Sequence, residues 1–319
     1  MARGLSTPAL ITLVIVVIVA AAGGLGTLYW ITLPGSAPSQ TVVALGDNVT
    51  VNYVGAFSTG PDAGKVFDTS LYAIATNNAQ YPKSLMYQPR GPPANYTPLG
   101  VYVGAGAPAN GYQLGGQTFV GVVPGFWQGL VGAPPNQTRT IVVPPSAGYG
   151  PQNPACLRTL PLVQHAPVLL TLNAAQFAKA YPGVTPYTGL VFNDPHLGWS
   201  VLVLSTNASF VALQNMPYVG ETSSPSGWPV VVTAIAPTAN GTGDITLVNQ
   251  LSPSQAGLIL GTDYLGTGPC STQAKGKFIV SAIDAVAGTY TENFNPEVTG
   301  QTLVFYVSVI NIFPPGTVG

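Results

Sequence analysis

The chain has 319 residues, room for about two domains, and its 9 Lys and Arg with 10 Asp and Glu make a charged fraction of 6%, where an ordinary soluble protein has roughly 25%. A net charge of -1 without any basic cluster cannot hold a polyanion, which argues against nucleic acid as a partner. Mean hydropathy is +0.35, yet one stretch alone is apolar for long enough to cross a bilayer; the remainder is expected to be globular, with a surface of neutral polar residues suited to an acidic exterior.

That stretch, residues 9–33 (ALITLVIVVIVAAAGGLGTLYWITL), follows a short N-terminus at 1–8 and exceeds the roughly 20 residues that span a hydrocarbon core. Tyr29 and Trp30 at its far end, and Arg3 on its near side with no other Lys or Arg before Lys65, orient the N-terminus inward and the body outward. A single-pass anchor in the cell membrane is expected. The rival is a cleaved signal peptide ending near Ala20-Ala21-Ala22, and both send the body outside. Cys156 and Cys270 then lie where an oxidising compartment permits a disulfide, although two separate buried thiols fit the spacing equally. Five glycosylation sequons begin at Asn48, Asn95, Asn136, Asn207 and Asn240, consistent with export.

A Pro/Ser/Gly linker at 34–40 precedes alternating strand pattern, in which Val49, Val51 and Tyr53 share a face. Further runs of β type fall at 101–103, 140–143, 168–172, 201–204, 230–235, 245–248, 278–283 and 303–312. Helical pattern is confined to 125–130 and 174–181. With 38 Gly and 31 Pro between short strands, the fold class is mainly β with a minor helical part (α+β). No tandem period of about 20 to 50 residues emerges, which argues against a solenoid or propeller.

Chemistry that needs a metal or nucleophile finds no support. His165 and His196 have no ligand at a metal-binding spacing, and there is no G-x-S-x-G, Walker loop or dinucleotide fingerprint. No cofactor is implied.

Three segments resemble the FKBP family of peptidyl-prolyl cis/trans isomerases. At 49–70, Tyr53, Gly55, Phe57, Gly64, Lys65, Phe67, Asp68 and Ser70 follow the pattern V-x-Y-x-G-x-(L/F)…G-K-x-F-D-x-S. VVPGFWQGLVGAPPNQTRTIVVPPSAGYG, ending at Gly150, is similar to V-I-x-G-W-x-x-G-L…I-P-P-x-x-A-Y-G, and GQTLVFYVSVINI at 300–312 is similar to the family's closing strand. The resemblance implies a half-barrel wrapped on a short helix, built from 41–150 and the closing strand 300–312, with a tail at 313–319. The long gap resembles the insert-in-flap chaperone domain of archaeal and SlyD-like members, so 151–299 is expected to be an inserted β-rich, chaperone-like domain. Its opening at 169–177 and its exit Asn293-Phe294-Asn295-Pro296 resemble theirs; the middle at 185–268 has no counterpart, and a smaller insertion sits between Gly104 and Gly121.

The same resemblance assigns a site. Asp68, Tyr149 and Phe126 would be the catalytic residues, and Tyr53, Phe67, Val122, Val123 and Phe305 would bind substrate, with the Val123 N–H holding a substrate carbonyl. Phe126 stands where the family usually has Trp, and Trp127 follows it. Alone, Phe126, Val122 and Phe305 would be ordinary core in any β-rich domain. The function implied is a folding isomerase for Pro-containing exported proteins; the alternative is a catalytically degenerate surface scaffold or an accessory of a membrane complex.

Overall fold

The computed structural model describes residues 42–107, 110–238, 241–263, 268–270 and 276–315. The anchor expected over 9–33 and the linker at 34–40 lie outside them, and among the described residues no helix is long and apolar enough to cross a membrane. The described chain is mainly β: nineteen strands, β1 to β19 in chain order, and three short α-helices. It divides into two compact units. One runs to Pro151 and resumes at Val298; the other is Gln152–Glu297.

In the first unit, β1 (Asn48–Phe57) is buried along nearly its whole length. It pairs antiparallel with β19 (Leu303–Phe313) from Asn48↔Phe313 to Phe57↔Leu303, while β2 (Val66–Thr69) and β3 (Leu99–Tyr102) share its other edge. The residues between Gly104 and Gly121 form a hairpin, β4 (Tyr112–Leu114) and β5 (Gln117–Val120), which extends the sheet through β3. Strand β6 (Thr138–Val143) closes the other side against β19. Helix α1 (Tyr72–Thr76) follows β2. Helix α2 (Pro124–Leu130) opens on a proline, whose missing N–H costs nothing at that position, and buries Phe126 and Leu130 among Val49, Val51, Tyr53 and Phe305. A Cβ on Gly129 would stand 2.3 Å from Ile141 Cγ2, and one on Gly125 2.8 Å from Val143 Cγ1, so the two glycines set how closely α2 lies on β6. The chain leaves after Gly150 and rejoins at Gly300, whose N–H donates to the Gly150 carbonyl at 2.8 Å.

Asn48, the first sequon residue, is buried and its side-chain oxygen accepts from the Tyr112 hydroxyl. A glycan has no room there in the folded state.

The second unit contains three four-stranded antiparallel sheets, nested one inside another. Its chain begins with three consecutive five-residue strands, β7 (Leu157–Pro161), β8 (Val163–Pro167) and β9 (Leu169–Asn173). Helix α3 (Ala174–Ala180), with β10 (Val191–Asn193), β11 (Ser200–Thr206) and β12 (Phe210–Met216), completes the sheet begun by β9. Next, β13 (Thr222–Ser223), β14 (Val230–Ala236) and β15 (Asp244–Asn249) complete that of β8. Finally β16 (Leu260–Thr262), β17 (Lys277–Asp284) and β18 (Thr289–Asn293) complete that of β7. Each sheet has the same order, a bulge at the same place in its hairpin, and the same register. Leu202, Val231 and Ile279 are equivalent, pair with Gln214, Val248 and Asn293, and lead on to Leu169, Val163 and Leu157. The two inner sheets also share a buried clip. Trp199 Nε1 donates to Asn215 Oδ1 at 3.1 Å and Trp228 Nε1 to Asn249 Oδ1 at 2.8 Å, and each amide donates onward to a carbonyl, of Pro167 or Leu162. All three sheets bury their inner faces in one core.

The helix α3 begins with a capping box in which Asn173 and Gln176 exchange side-chain and backbone bonds at 2.9 Å. A disulfide joins Cys156 to Cys270, with Cα atoms 5.2 Å apart, and so closes a loop that holds β7 to β16. In the chain-entropy account a loop of that size contributes on the order of 4 to 5 kcal/mol.

One inward position sets the outermost sheet apart by its charge. Leu213 faces Leu170 and Leu247 faces Gln164, but in the outermost sheet Glu292 faces Arg158. Arg158 donates to Glu292 at 2.5 Å, lies 3.5 Å from Asp263 and sits over the Phe294 ring. Arg158, Asp263 and Glu292, with Gln164 and Tyr290, border a cavity of about 230 Å³. Replacing an apolar pair by a buried ion pair is seldom stabilising. Burial raises the Glu292 pKa above its ordinary value in spite of Arg158. A raised folded-state pKa stabilises below the unfolded value, near 4.5, and that stabilisation is lost as pH rises through the folded value. Glu292→Gln is therefore expected to remove part of the fall in stability between about pH 4.5 and neutrality, read as the difference in pH slope of urea midpoints between wild type and variant. Identical slopes would refute it.

Candidate functional site

The F-D-T-S run of β2 is fixed to β1 by its own hydroxyls. Ser70 Oγ accepts from the Tyr53 N–H at 2.9 Å and Thr69 Oγ1 donates to the Tyr53 carbonyl at 2.8 Å, which sets Phe67 and Asp68 beside the Tyr53 ring. Gly55 pairs with Asp68 across the two strands. A Cβ at Gly55 would lie 2.6 Å from the Phe67 ring and 3.0 Å from that of Phe305, so only glycine lets both rings close over β1.

Four rings form a continuous edge-to-face chain. Phe126 meets Phe305 with centroids 4.9 Å apart, Phe305 meets Phe67 at 5.6 Å, and Tyr53 meets Phe126 at 6.3 Å, all near perpendicular. Tyr53, Phe126 and Phe305 are buried and Phe67 half-buried. Val122 and Val123, just before α2, are half-buried against the same cluster. The Val123 carbonyl accepts from Phe126 at 3.0 Å, whereas its N–H has no acceptor among the described residues. Trp127 is half-buried and outside the cluster, so Phe126 is the floor.

The polar groups gather at one side. The Tyr53 hydroxyl donates to Asp68 Oδ2, and Arg90 Nη2 reaches both Asp68 oxygens at 2.9 and 3.0 Å and the Tyr53 oxygen at 2.5 Å. Burial, then the Asp68 charge, pushes the Tyr53 phenol far above its ordinary range, with Arg90 pulling weakly the other way. Burial disfavours the Arg90 charge, but Tyr53 and Asp68 outweigh it and hold its pKa above the usual value. Tyr149 is 48% exposed, on the turn after β6, and its phenol is raised by desolvation first and by the Asp68 charge second. The structure thus gathers Tyr53, Phe67, Val122, Val123, Phe126 and Phe305 in one apolar cluster with Asp68 bonded at its side, while Tyr149 stands exposed on the turn after β6.

Arg90 was not among them. It lies in the stretch after α1, where its N–H donates to the Tyr96 hydroxyl at 2.9 Å, and Tyr96 packs on Tyr72. Its one signal was scarcity: a cation near three tyrosines in a chain of 9 Lys and Arg. No group of metal-binding side chains occurs among the described residues.

No model of a known protein family matches the chain. It is similar, with 27% identity over 120 residues, to a short-type peptidyl-prolyl cis-trans isomerase of Methanocaldococcus jannaschii. The likeness covers 38% of this chain and 59% of that relative. It supports isomerase or folding activity in general terms.

Gly55→Ala tests the geometry directly. The added methyl must displace the Phe67 ring, and overpacking of this kind costs about 1–3 kcal/mol. Urea unfolding should show that loss together with shifted Phe67 and Phe305 ring resonances; an unchanged midpoint would mean the rings do not close on β1.

Proposed function

We propose that this chain is a membrane-anchored, extracytoplasmic peptidyl-prolyl cis/trans isomerase of the FKBP type, whose inserted unit holds unfolded, Pro-containing exported proteins. The observation that carries the reading is the cluster of perpendicular rings, Phe126, Phe305, Phe67 and Tyr53, with Val122 and Val123 packed against it and Asp68 bonded to the Tyr53 hydroxyl.

An X-Pro bond isomerises without a bond being made or broken. Its two forms differ by about 0.5–1 kcal/mol, but amide resonance keeps the barrier near ~18–20 kcal/mol. A dry aromatic well favours the twisted amide, whose lost resonance leaves it less polar than the planar form, and removes the water that stabilises the planar form. The proline ring enters against Phe126 and Phe305, the preceding carbonyl meets the Asp68 and Tyr149 side, and the Val123 N–H takes a substrate carbonyl. Arg90 and Tyr53 hold Asp68 in place.

The disulfide and the scarcity of charge support an oxidising, extracytoplasmic setting. The composition of 9–33 supports the anchor. Protease added to intact cells is expected to remove the body; a body destroyed only after lysis would overturn the topology.

A scaffold with degenerate activity is favoured by one observation, that Asp68 is already engaged by Arg90. Activity separates the two readings. In a protease-coupled assay with an Ala-Pro tetrapeptide, Phe126→Ala, Asp68→Asn and Tyr149→Phe should each cause a partial loss, of roughly a few-fold to tenfold, because the rate comes from a shared environment. Replacing Gln152–Glu297 by a short glycine loop, which the Gly150–Gly300 bond favours, should leave tetrapeptide turnover largely intact and sharply slow proline-limited refolding of a whole protein. A folded wild-type protein inactive in both assays would establish the scaffold; equal loss in both on deletion would mean that the unit builds the active site.

A further inference from the structure

The three nested sheets bury one face each, and their equivalent outward rows follow one rule. Across the innermost sheet the row is Val191, Leu202, Gln214, Leu169; across the middle one Thr222, Val231, Val248, Val163; across the outermost Leu260, Ile279, Asn293, Leu157. Every row has three aliphatic side chains and one neutral polar one. Outward strand positions in water ordinarily take Thr, Ser, Lys or Glu. Here Leu157, Val163 and Leu169 recur at six-residue spacing with 37%, 44% and 37% of their surface exposed, and Val191 with 53%. The polar residue holds the third position in the innermost and outermost rows, as Gln214 and Asn293, and the first in the middle row, as Thr222, while the aliphatic count is the same in all three.

We propose that each of these rows is a docking face for a short, extended, uncharged apolar segment of unfolded polypeptide, so that the inserted unit captures one client chain at three points. The inference rests on the proposed chaperone role and adds its valency and the chemistry of its ligand. The rows themselves carry no charge, so nothing in them rewards a charged segment, while an apolar one loses no solvated ion on docking. Four strands at ~4.8 Å spacing make a row roughly 14 Å across, the reach of about four or five extended residues at ~3.3 Å each. A stable homodimer needs roughly 800 Å² per partner, far more than three aliphatic side chains supply, which favours a short segment over a second copy of this chain. The sheets share one core, so the rows are held on one body. Binding at the first row then raises the effective concentration at the others, and linked sites exceed a single one by ~10²–10⁴ in avidity.

The test uses the full chain, a neutral apolar octapeptide, and a permanently unfolded, reduced and carbamidomethylated protein. Titration with the octapeptide should give three equivalents of weak binding. Leu202→Lys, Val231→Lys and Ile279→Lys, each at a partly exposed position, should each remove one equivalent and weaken capture of the unfolded protein by roughly threefold to tenfold, and the triple variant by ~10²-fold or more. Retained tetrapeptide turnover and unchanged near-UV circular dichroism would show that the variants are folded; Leu202→Thr, Val231→Thr and Ile279→Thr provide a milder set with the same expected ranking. One equivalent, or a loss confined to one row, would overturn the trivalent reading and leave single-site capture standing. Wild-type protein that binds neither probe would overturn both the inference and the chaperone role, while leaving isomerase activity to its own assay. A self-association abolished by the triple variant, with capture unchanged, would assign the rows to contacts between copies.

Discussion

The pairing of β1 with β19 is the constraint on which the first unit depends. It joins Tyr53 and Gly55, early in the chain, to Phe305 and Val307 near its end, and the ring cluster is incomplete until that pairing is made. Because β1 is buried on both faces, its residues are held from two sides, by α2 on one and by the smaller cluster of Val54, Val66 and Ile74 on the other. Long-range pairing of this kind carries the entropy of closing the intervening chain, a cost that grows only slowly with loop length. A large folded unit can therefore sit between β6 and β19, provided its two ends come close, and the Gly150–Gly300 bond shows that they do.

Nesting solves the same problem three times over. Each sheet of the second unit receives its fourth strand from the β7-β8-β9 run and the other three from later sequence, so the innermost sheet is made of the most local contacts and the outermost of the least. The disulfide sits on that outermost sheet, where the denatured chain has most entropy to lose. So does the Arg158–Glu292–Asp263 group, which puts charge where the innermost sheet has a leucine pair and the middle one a leucine beside Gln164, and which borders a cavity. One repeat has diverged inwardly while all three keep the same outward rows.

In the proposed function the two units divide the work by physical means. The aromatic cluster would take one amide out of water, and its polar groups converge on Asp68 through Arg90. The rows of the inserted unit offer area without shape, which suits many weak contacts and little selectivity. Capture by area and conversion in a well are complementary demands, and one fold would satisfy both poorly.

The sequence by itself determined the β-rich class and most strand positions, because alternation at 201–204, 230–235, 245–248 and 278–283 is a local consequence of burying one face. Helical pattern at 125–130 located α2, whereas the candidate site residues were named by the resemblance of three segments to the FKBP family, and the pairing of β1 with β2 and β19 is what brings the rings of those segments together. Arg90 was illegible because it reaches Asp68 from a segment with no periodicity, through a contact that no spacing encodes. The threefold repeat escaped notice because nesting breaks its period: the first strands are six residues apart, their partners follow at unequal distances, and Pro161 and Pro167 interrupt what would read as strands. The pairing of Cys156 with Cys270, a matter of two Cα atoms meeting across 114 positions, was likewise open in one dimension and decided only by the closure of β7 against β18. Local pattern fixes which face of a strand is apolar; only tertiary pairing decides what that face meets.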